Sequence, residues 1–258
     1  MTIPIFRITK RDYSVVTPRR HASTIGLLAR KYPIRYILCY SPSMFSALRS
    51  ALGRRYLVRL GLSRFESVVK VGPIGLIAIN GIGAPHSVFL MERLIALGAR
   101  EFIIVGSAGG LVTPGVYLCN KAVRDEGTSY HYLPASTYAY ASMELSMRVA
   151  SALTVNKVKF QVGPSWTTDA PYREMRSAVV YHRSRGVRTV DMEAAALYAV
   201  ARMRQVKAVA IFEVRDLVLG QWHPGIQLQT SPESRAKIAK AVVSALKRTP
   251  RRRLHPRL

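Results

Sequence analysis

The chain has 258 residues, 49% of them hydrophobic, and carries 39 Lys and Arg against 14 Asp and Glu, a formal net charge of +25. This is ample for one sizeable core, and the absence of any run of eighteen apolar residues excludes a membrane-spanning helix. Cys39 and Cys119 fit neither a metal spacing nor a disulfide framework, the six histidines are scattered, and the N-terminus lacks a signal-peptide apolar segment. A reducing cytoplasm and no metal are therefore expected. The charge is concentrated at the ends: residues 1–35 hold eight Lys/Arg against one acid and residues 235–258 hold nine against none, so +7 and +9 make +16 of the +25.

Along the chain, Tyr36–Tyr40 predicts a first strand. Pro42 opens a helix reaching about Leu52, because proline suits a first turn whose N–H has no partner. Ile74–Asn80 predicts a strand with glycine on both sides. After Gly81-Ile82-Gly83-Ala84-Pro85-His86-Ser87, the residues Val88, Met91, Leu94 and Ile95 recur at helical spacing until Gly98 stops them. Phe102–Val105 reads as a buried strand ending in Gly106-Ser107-Ala108-Gly109-Gly110. Met143–Leu153, Asp191–Arg204 and Pro232–Leu246 read as helices, and Ala208–Phe212 as a strand that delivers Glu213, Val214, Arg215 and Asp216. This alternation predicts a single α/β domain over 1–258, with basic extensions at about 1–33 and 247–258.

The run Gly106–Gly110 has neither P-loop nor dinucleotide-fold spacing. As a turn after a strand, its backbone N–H groups and the Ser107 hydroxyl are able to converge on an anion; a plain tight turn is the other reading. Gly81-Ile82-Gly83 ends a second strand in the same way, and two such turns suggest one shared pocket. Thr189–Ala196 places Asp191 and Glu193 at the start of an apolar, Ala-rich helix. An ionised carboxylate only accepts hydrogen bonds, so a buried Glu193 can grip two vicinal hydroxyls. Its alternative role is to satisfy backbone donors at the helix start. Asp216 follows a strand at the sheet end where open α/β folds place their chemistry, with a simple turn cap as the alternative. A sugar clamp plus an acid is what cleaving a nucleoside requires.

In this order, Gly81-Ile82-Gly83-Ala84-Pro85, Gly106-Ser107-Ala108-Gly109-Gly110, Val190-Asp191-Met192-Glu193-Ala194 and Val214-Arg215-Asp216 resemble the nucleoside phosphorylase-I family. That family contains hexameric purine nucleoside phosphorylases, uridine phosphorylases and methylthioadenosine/adenosylhomocysteine nucleosidases. The resemblance covers roughly residues 34–246 and implies a three-layer α/β/α fold with a mixed, partly barrel-like sheet. It gives Glu193 the ribose 2′- and 3′-hydroxyls and Met192 the underside of the sugar. Ser107, with backbone N–H groups at Gly106 and Gly83, would hold phosphate, and His86 would donate to an anion at its helix N-terminus. Asp216 would protonate or hydrogen-bond N7 of a purine. The segment Trp166–Glu174 looks like the family's base-binding loop, with the ring near Tyr172 and with Trp166 and Arg173 close by. Arg124–Tyr132 resembles a loop of uridine phosphorylases, in which His131 would contact the ribose or organise the pocket; a structural surface loop is the alternative.

The implied reaction is phosphorolysis of a nucleoside, purine favoured and uridine admitted, to base and ribose 1-phosphate. Inorganic phosphate is then a co-substrate and no cofactor is needed. Such a pentosyltransferase would serve purine salvage. A homo-oligomer built on dimers, up to a hexamer, is implied because the family's site borrows residues across an interface. Phosphorolytic members carry a Gly-Asp-Pro run with an Arg two residues later; here Tyr40 replaces the glycine and Met44 the arginine. Ile104 stands at a second phosphate arginine, and Arg59 or Arg64 are candidates for a third, supplied across the interface. Apolar residues do not substitute for bidentate Arg–phosphate bonds. Hydrolytic members lack these arginines but use an N-terminal glutamate, and 37–48 contains none. Pro171 stands where the family places a base-stacking aromatic. Hydrolysis on the same fold is thus the first alternative. An impaired site whose basic tail, Lys247–Arg253, contacts RNA is the second, against the stronger reading of that tail as solvated.

Overall fold

The computed structural model describes residues 13–24, 26–27, 29–53, 58–62, 66–224 and 230–247. Arg64, the Arg59 side chain and nearly all of the basic tail lie outside the described residues. Helices α1 (Pro18–Thr24), α3 (Ala84–Ala96) and α6 (Ala194–Met203) cover one face of a central sheet. Helices α2 (Pro42–Leu52), α4 (Met143–Val155) and α7 (Pro232–Lys247) cover the other. A shorter helix, α5 (Arg176–Ser184), lies beside a third small core formed by Leu111, Val123, Trp166, Val179, Val187 and Val190. Part of the segment expected as an N-terminal extension is therefore structured, since α1 packs on α3 and buries Ala22. Among the described residues no helix is long and apolar enough to cross a membrane.

Eleven strands among the described residues join one sheet. The first half is β1 (Arg35–Cys39), β2 (Val58–Gly61), β3 (Ser67–Val71), β4 (Ile74–Ala78), β5 (Glu101–Gly110) and β6 (Gly115–Asp125). The second half is β7 (Tyr138–Tyr140), β8 (Gln161–Thr168), β9 (Thr189–Asp191), β10 (Lys207–Val218) and β11 (Trp222–His223). Three parallel pairs (β5–β10, β6–β8, β8–β9) and two antiparallel ones (β10–β6, β9–β5) join β5–β10–β6–β8–β9 in a ring, so these five strands close a small barrel. The expected three-layer fold with a mixed, partly barrel-like sheet is what the chain adopts.

Local chemistry explains the elements that were foreseen. Ser41 caps α2, its hydroxyl accepting from Met44 N–H at 3.4 Å, with Pro42 following at the first helical position. Met44, Leu48 and Leu52, four apart, form its buried stripe. Helix α6 is buried on every side from Ala194 to Ala201, and its alanines let it lie close between α3 and the sheet.

Three expectations are corrected. Gly106–Gly110 is not a turn but the second half of β5. Its glycines admit crossing strands: a Cβ at Gly109 would stand 2.8 Å from Val190, and one at Gly110 would stand 2.6 Å from Val214 and Leu217. Asp191 ends strand β9, and helix α6 begins only at Ala194. Strand β10 does not stop at Phe212 but runs to Val218, with a bulge at which Val214 faces Ala108 and Asp216 faces Gly109. Arg215 is the extra residue of that bulge, and beyond it the alternation of side chains shifts phase.

Candidate active site

The barrel brings the two foreseen acids to one end of the sheet. Asp216 pairs with Gly109 on β5, and Gly109 pairs on its other side with Val190, three residues before Glu193. Two strand spacings, about 10 Å, thus separate Asp216 from Val190, on the strand that leads to Glu193.

Glu193 occupies the N-cap position of α6, yet its side chain makes no capping bond. That role falls to Asp191, whose Oδ2 accepts from the N–H groups of Glu193 at 2.8 Å and Ala194 at 2.6 Å. Asp191 Oδ1 accepts from the hydroxyls of Ser165 at 2.7 Å and Thr167 at 2.9 Å. Four donors oppose the cost of burial, which nevertheless pushes the Asp191 pKa up. Relieved of capping, the Glu193 carboxylate reaches across to α3, where Oε1 accepts from the Gly83 N–H at 2.6 Å. Gly83 has φ +94°, a conformation that side chains rarely adopt, and this aims its N–H at Glu193. Burial first, then the Asp191 charge, push the Glu193 pKa up to about 7. Met192, half-buried, precedes it at the strand–helix junction.

Asp216 borders a separate hollow of about 460 Å³, formed with Tyr172, Glu174, Val179, Val218 and Trp222. Trp222 Nε1 donates to Asp216 Oδ2 at 2.8 Å. Tyr172 projects fully into solvent from a 3₁₀ turn at Pro171–Arg173. Glu174, just beyond that turn, has its pKa raised to about 7 by burial and then by the Asp216 charge. Neither Trp222 nor Glu174 was singled out from sequence. An indole donor six residues after an acid was the only available signal for the first, and membership of the Trp166–Glu174 segment for the second.

Several expected site residues stand elsewhere. Trp166 is buried in the small core with Val179 and Val190, its indole N–H bonded to Asp125 at 2.8 Å and its ring 4.5 Å from that of His182. It stands behind the hollow rather than in its lining. Arg173 is exposed and does not line the hollow. His131 is exposed beside Phe89, Tyr132 and Met203, at a different surface depression. Its loop is organised internally by Arg124, which donates to Ser129, Leu133, Pro134 and Ser136. His86 lies against Gly81 and 3.3 Å from the Glu66 carboxylate, so its imidazole faces an acid and not an anion-binding helix end. Gly83 gives its N–H to Glu193 rather than to a phosphate.

The expected phosphate end is partly filled, by a tyrosine ring at Gly106, while Ser107 stays open. Ser107 is exposed on β5, in register with Glu213. Tyr40 lies over Gly106, within 3.6–3.9 Å of where a Cβ there would be. Its hydroxyl donates to Ser87 on α3 at 2.7 Å, and burial followed by the charge of Glu193 hold its pKa far above the ordinary value. The ring therefore spans from β5 to α3 next to Glu193. Met44 and Ile104 are core residues, 2% and 1% exposed. A cation stands on the neighbouring strand β10: Arg215 donates to Ser41 at 3.0 Å and Ser43 at 3.2 Å, and pairs with buried Glu213 at 3.1 Å. Among the described residues no group of three or more His, Cys, Asp or Glu side chains is placed to hold a metal.

A family model for the phosphorylase superfamily matches residues 53–247. The chain is 27% identical over 193 residues to a DeoD-type purine nucleoside phosphorylase of Shewanella oneidensis, covering 72% of this chain and 79% of that one. It is 31% identical over 153 residues to a uridine phosphorylase of Thermococcus kodakarensis, covering 52% of this chain and 55% of that one. In fold it matches the crystal structure of a Toxoplasma gondii purine nucleoside phosphorylase with a TM-score of 0.73 at 21% identity, over 86% of this chain and 95% of that one. The closed five-strand barrel, the glycine-lined β5 and the Met-Glu-Ala junction thus have a shared origin: the chain belongs to the phosphorylase superfamily.

Proposed function

We propose that the chain cleaves the N-glycosidic bond of a purine nucleoside. The observation that carries this is that Gly109 is flanked by Asp216 on one side and by Val190, on the strand that leads to Glu193, on the other. Glu193, steadied by the Gly83 N–H, would accept from the ribose 2′- and 3′-hydroxyls and hold the sugar over Met192. As the C1′–N9 bond breaks, its electron pair moves into the base, and Asp216 supplies a proton or strong hydrogen bond at N7. The sugar passes through an oxocarbenium-like state that an oxygen nucleophile then captures at C1′; an attacking water sheds its proton to solvent, from which Asp216 regains its own.

The geometry favours water as that nucleophile. Tyr40 occupies the space over Gly106, and Met44 and Ile104 replace two cations with buried apolar groups. The products would be free base and ribose. Phosphorolysis is the second reading. It draws on the names of the relatives and on Arg215, whose guanidinium stands beside Ser41 and Ser43, although Glu213 already pairs with it. A subunit interface completing the site, as in a dimer-based homo-oligomer, belongs to either reading.

Incubating the purified chain with adenosine, inosine and uridine, with and without phosphate, tests both. Ribose formed at a rate independent of phosphate supports hydrolysis; ribose 1-phosphate, formed only with phosphate, supports the second reading. Release of no base from any of the three would end the proposal.

A further inference from the structure

The hollow beside Asp216 contains a second carboxyl that this reaction does not use. Glu174 and Asp216 line the same cavity, whose remaining walls are largely the flat or apolar faces of Pro171, Tyr172, Val179 and Val218. Arg176 is the cation in that lining. Trp222 is committed to Asp216 Oδ2 and fixes that carboxyl at the rim. A slot with apolar walls and two carboxyls suits a planar heterocycle that presents a hydrogen-bonding edge.

We propose that Glu174 is a specificity-determining residue, reading the N7–C6 edge of the purine jointly with Asp216 and selecting 6-aminopurine nucleosides over 6-oxopurine ones. This rests on the purine-cleavage reading above. Two carboxyls in one slot divide that edge between them: Asp216 gives its proton or hydrogen bond at N7, as above, and a Glu174 oxygen is left to accept at C6, with burial and then the Asp216 charge raising the Glu174 pKa to about 7. The matching edge of adenine carries the acceptor N7 and the donor N6–H₂. In a 6-oxopurine the same edge carries two acceptors, N7 and O6, so a carboxylate oxygen would face O6 with no proton between them. A polar group left unpaired in this way costs about 1–3 kcal/mol, roughly five- to a hundredfold in rate.

The test compares kcat/KM for adenosine and inosine in the wild type, E174Q and E174A. Glu174 is partly exposed and outside the three core clusters, so both variants keep the fold, which a thermal melt verifies. The wild type is expected to prefer adenosine by about tenfold or more. E174Q supplies an N–H donor for O6 and should move the adenosine-to-inosine ratio toward inosine by about tenfold; E174A should lose adenosine turnover without gaining inosine. Equal use of both nucleosides by the wild type, or an unchanged ratio in E174Q, overturns the inference while leaving purine cleavage intact. If the wild type cleaves neither, the cleavage reading fails separately. Calorimetric binding of free adenine against hypoxanthine to the wild type and E174Q then decides the inference: an adenine preference that E174Q weakens sustains it, and any other pattern overturns it.

Discussion

The surroundings of Gly109 and of Gly106, three residues apart on β5, treat charge in opposite ways. Near Gly109, Asp191 takes over the capping of α6 and leaves the Glu193 carboxylate free to reach the Gly83 N–H. Beside Gly106, a tyrosine ring fills the space and two side chains expected to be cationic are apolar core. The end proposed for sugar and base holds Glu193 at a cost in solvation, which shows in its raised pKa. At the end proposed for the nucleophile, Tyr40, Met44 and Ile104 pack inward and Ser107 alone stays open on β5. Such asymmetry is expected if the bond to be broken is kept while the attacking group changes.

The comparison breaks most sharply at Glu193. Replacing it by alanine removes two charge-assisted bonds to the sugar and should lower kcat/KM by about a hundred- to ten-thousandfold. A loss of less than tenfold would falsify the sugar clamp. Asp216→Asn keeps a hydrogen-bond donor but has no proton to transfer. It should lower kcat by about a hundredfold or more with little change in KM; steady-state kinetics showing unimpaired turnover would take Asp216 out of the mechanism.

A smaller effect follows from pH. Glu193 must be ionised to clamp hydroxyls, and its pKa is raised to about 7, so kcat/KM should fall about tenfold per unit below that value. Glu174 must also be ionised to accept from N6–H₂, and its pKa is raised to about 7 as well, so adenosine turnover should fall more steeply below pH 7 than one group requires. E174Q should restore the shallower limb of Glu193 alone; a flat profile from pH 5 to 9 contradicts both assignments.

The smallest expected effect lies at the filled end. Tyr40→Phe removes the bond to Ser87 but keeps the ring, and should cost about 1 kcal/mol, or ~2–4 °C in melting temperature, without creating phosphate dependence. Phosphate stimulation of that variant would show that the hydroxyl, not the ring, excludes the anion.

Much of the fold was legible because its signals are local. Pro42 and the four-residue spacing of Met44, Leu48 and Leu52 specify α2 without reference to anything distant. Gly106–Gly110 misled because glycine marks both a turn and a place where strands cross closely; only Val190, Val214 and Leu217, all far away in sequence, tell the two apart. The acids at 193 and 216 were found from their neighbours, but the contact between Glu193 and Gly83 spans 110 residues and depends on the register of the barrel. Trp166 was misplaced for a related reason. An aromatic in a loop-like segment suggests a binding platform, whereas its alternation within β8 turns it into a small core. Tyr40 was read as a departure from a pattern; that its ring reaches α3 depends on how far apart two layers lie, a distance no local spacing encodes.

The irregularity in β10 decides which chemistry its wall displays. A regular strand would alternate strictly, and loss of the single unpaired residue, Arg215, would restore that rhythm. The segment beyond it would keep its partners, Asp216 on Gly109 and Leu217 on Gly110, because β5 sets which face each of them shows. What a deletion of one amino acid would remove is the guanidinium that ties β10 to Ser41, Ser43 and Glu213, untying one wall of the barrel without re-aiming its acid.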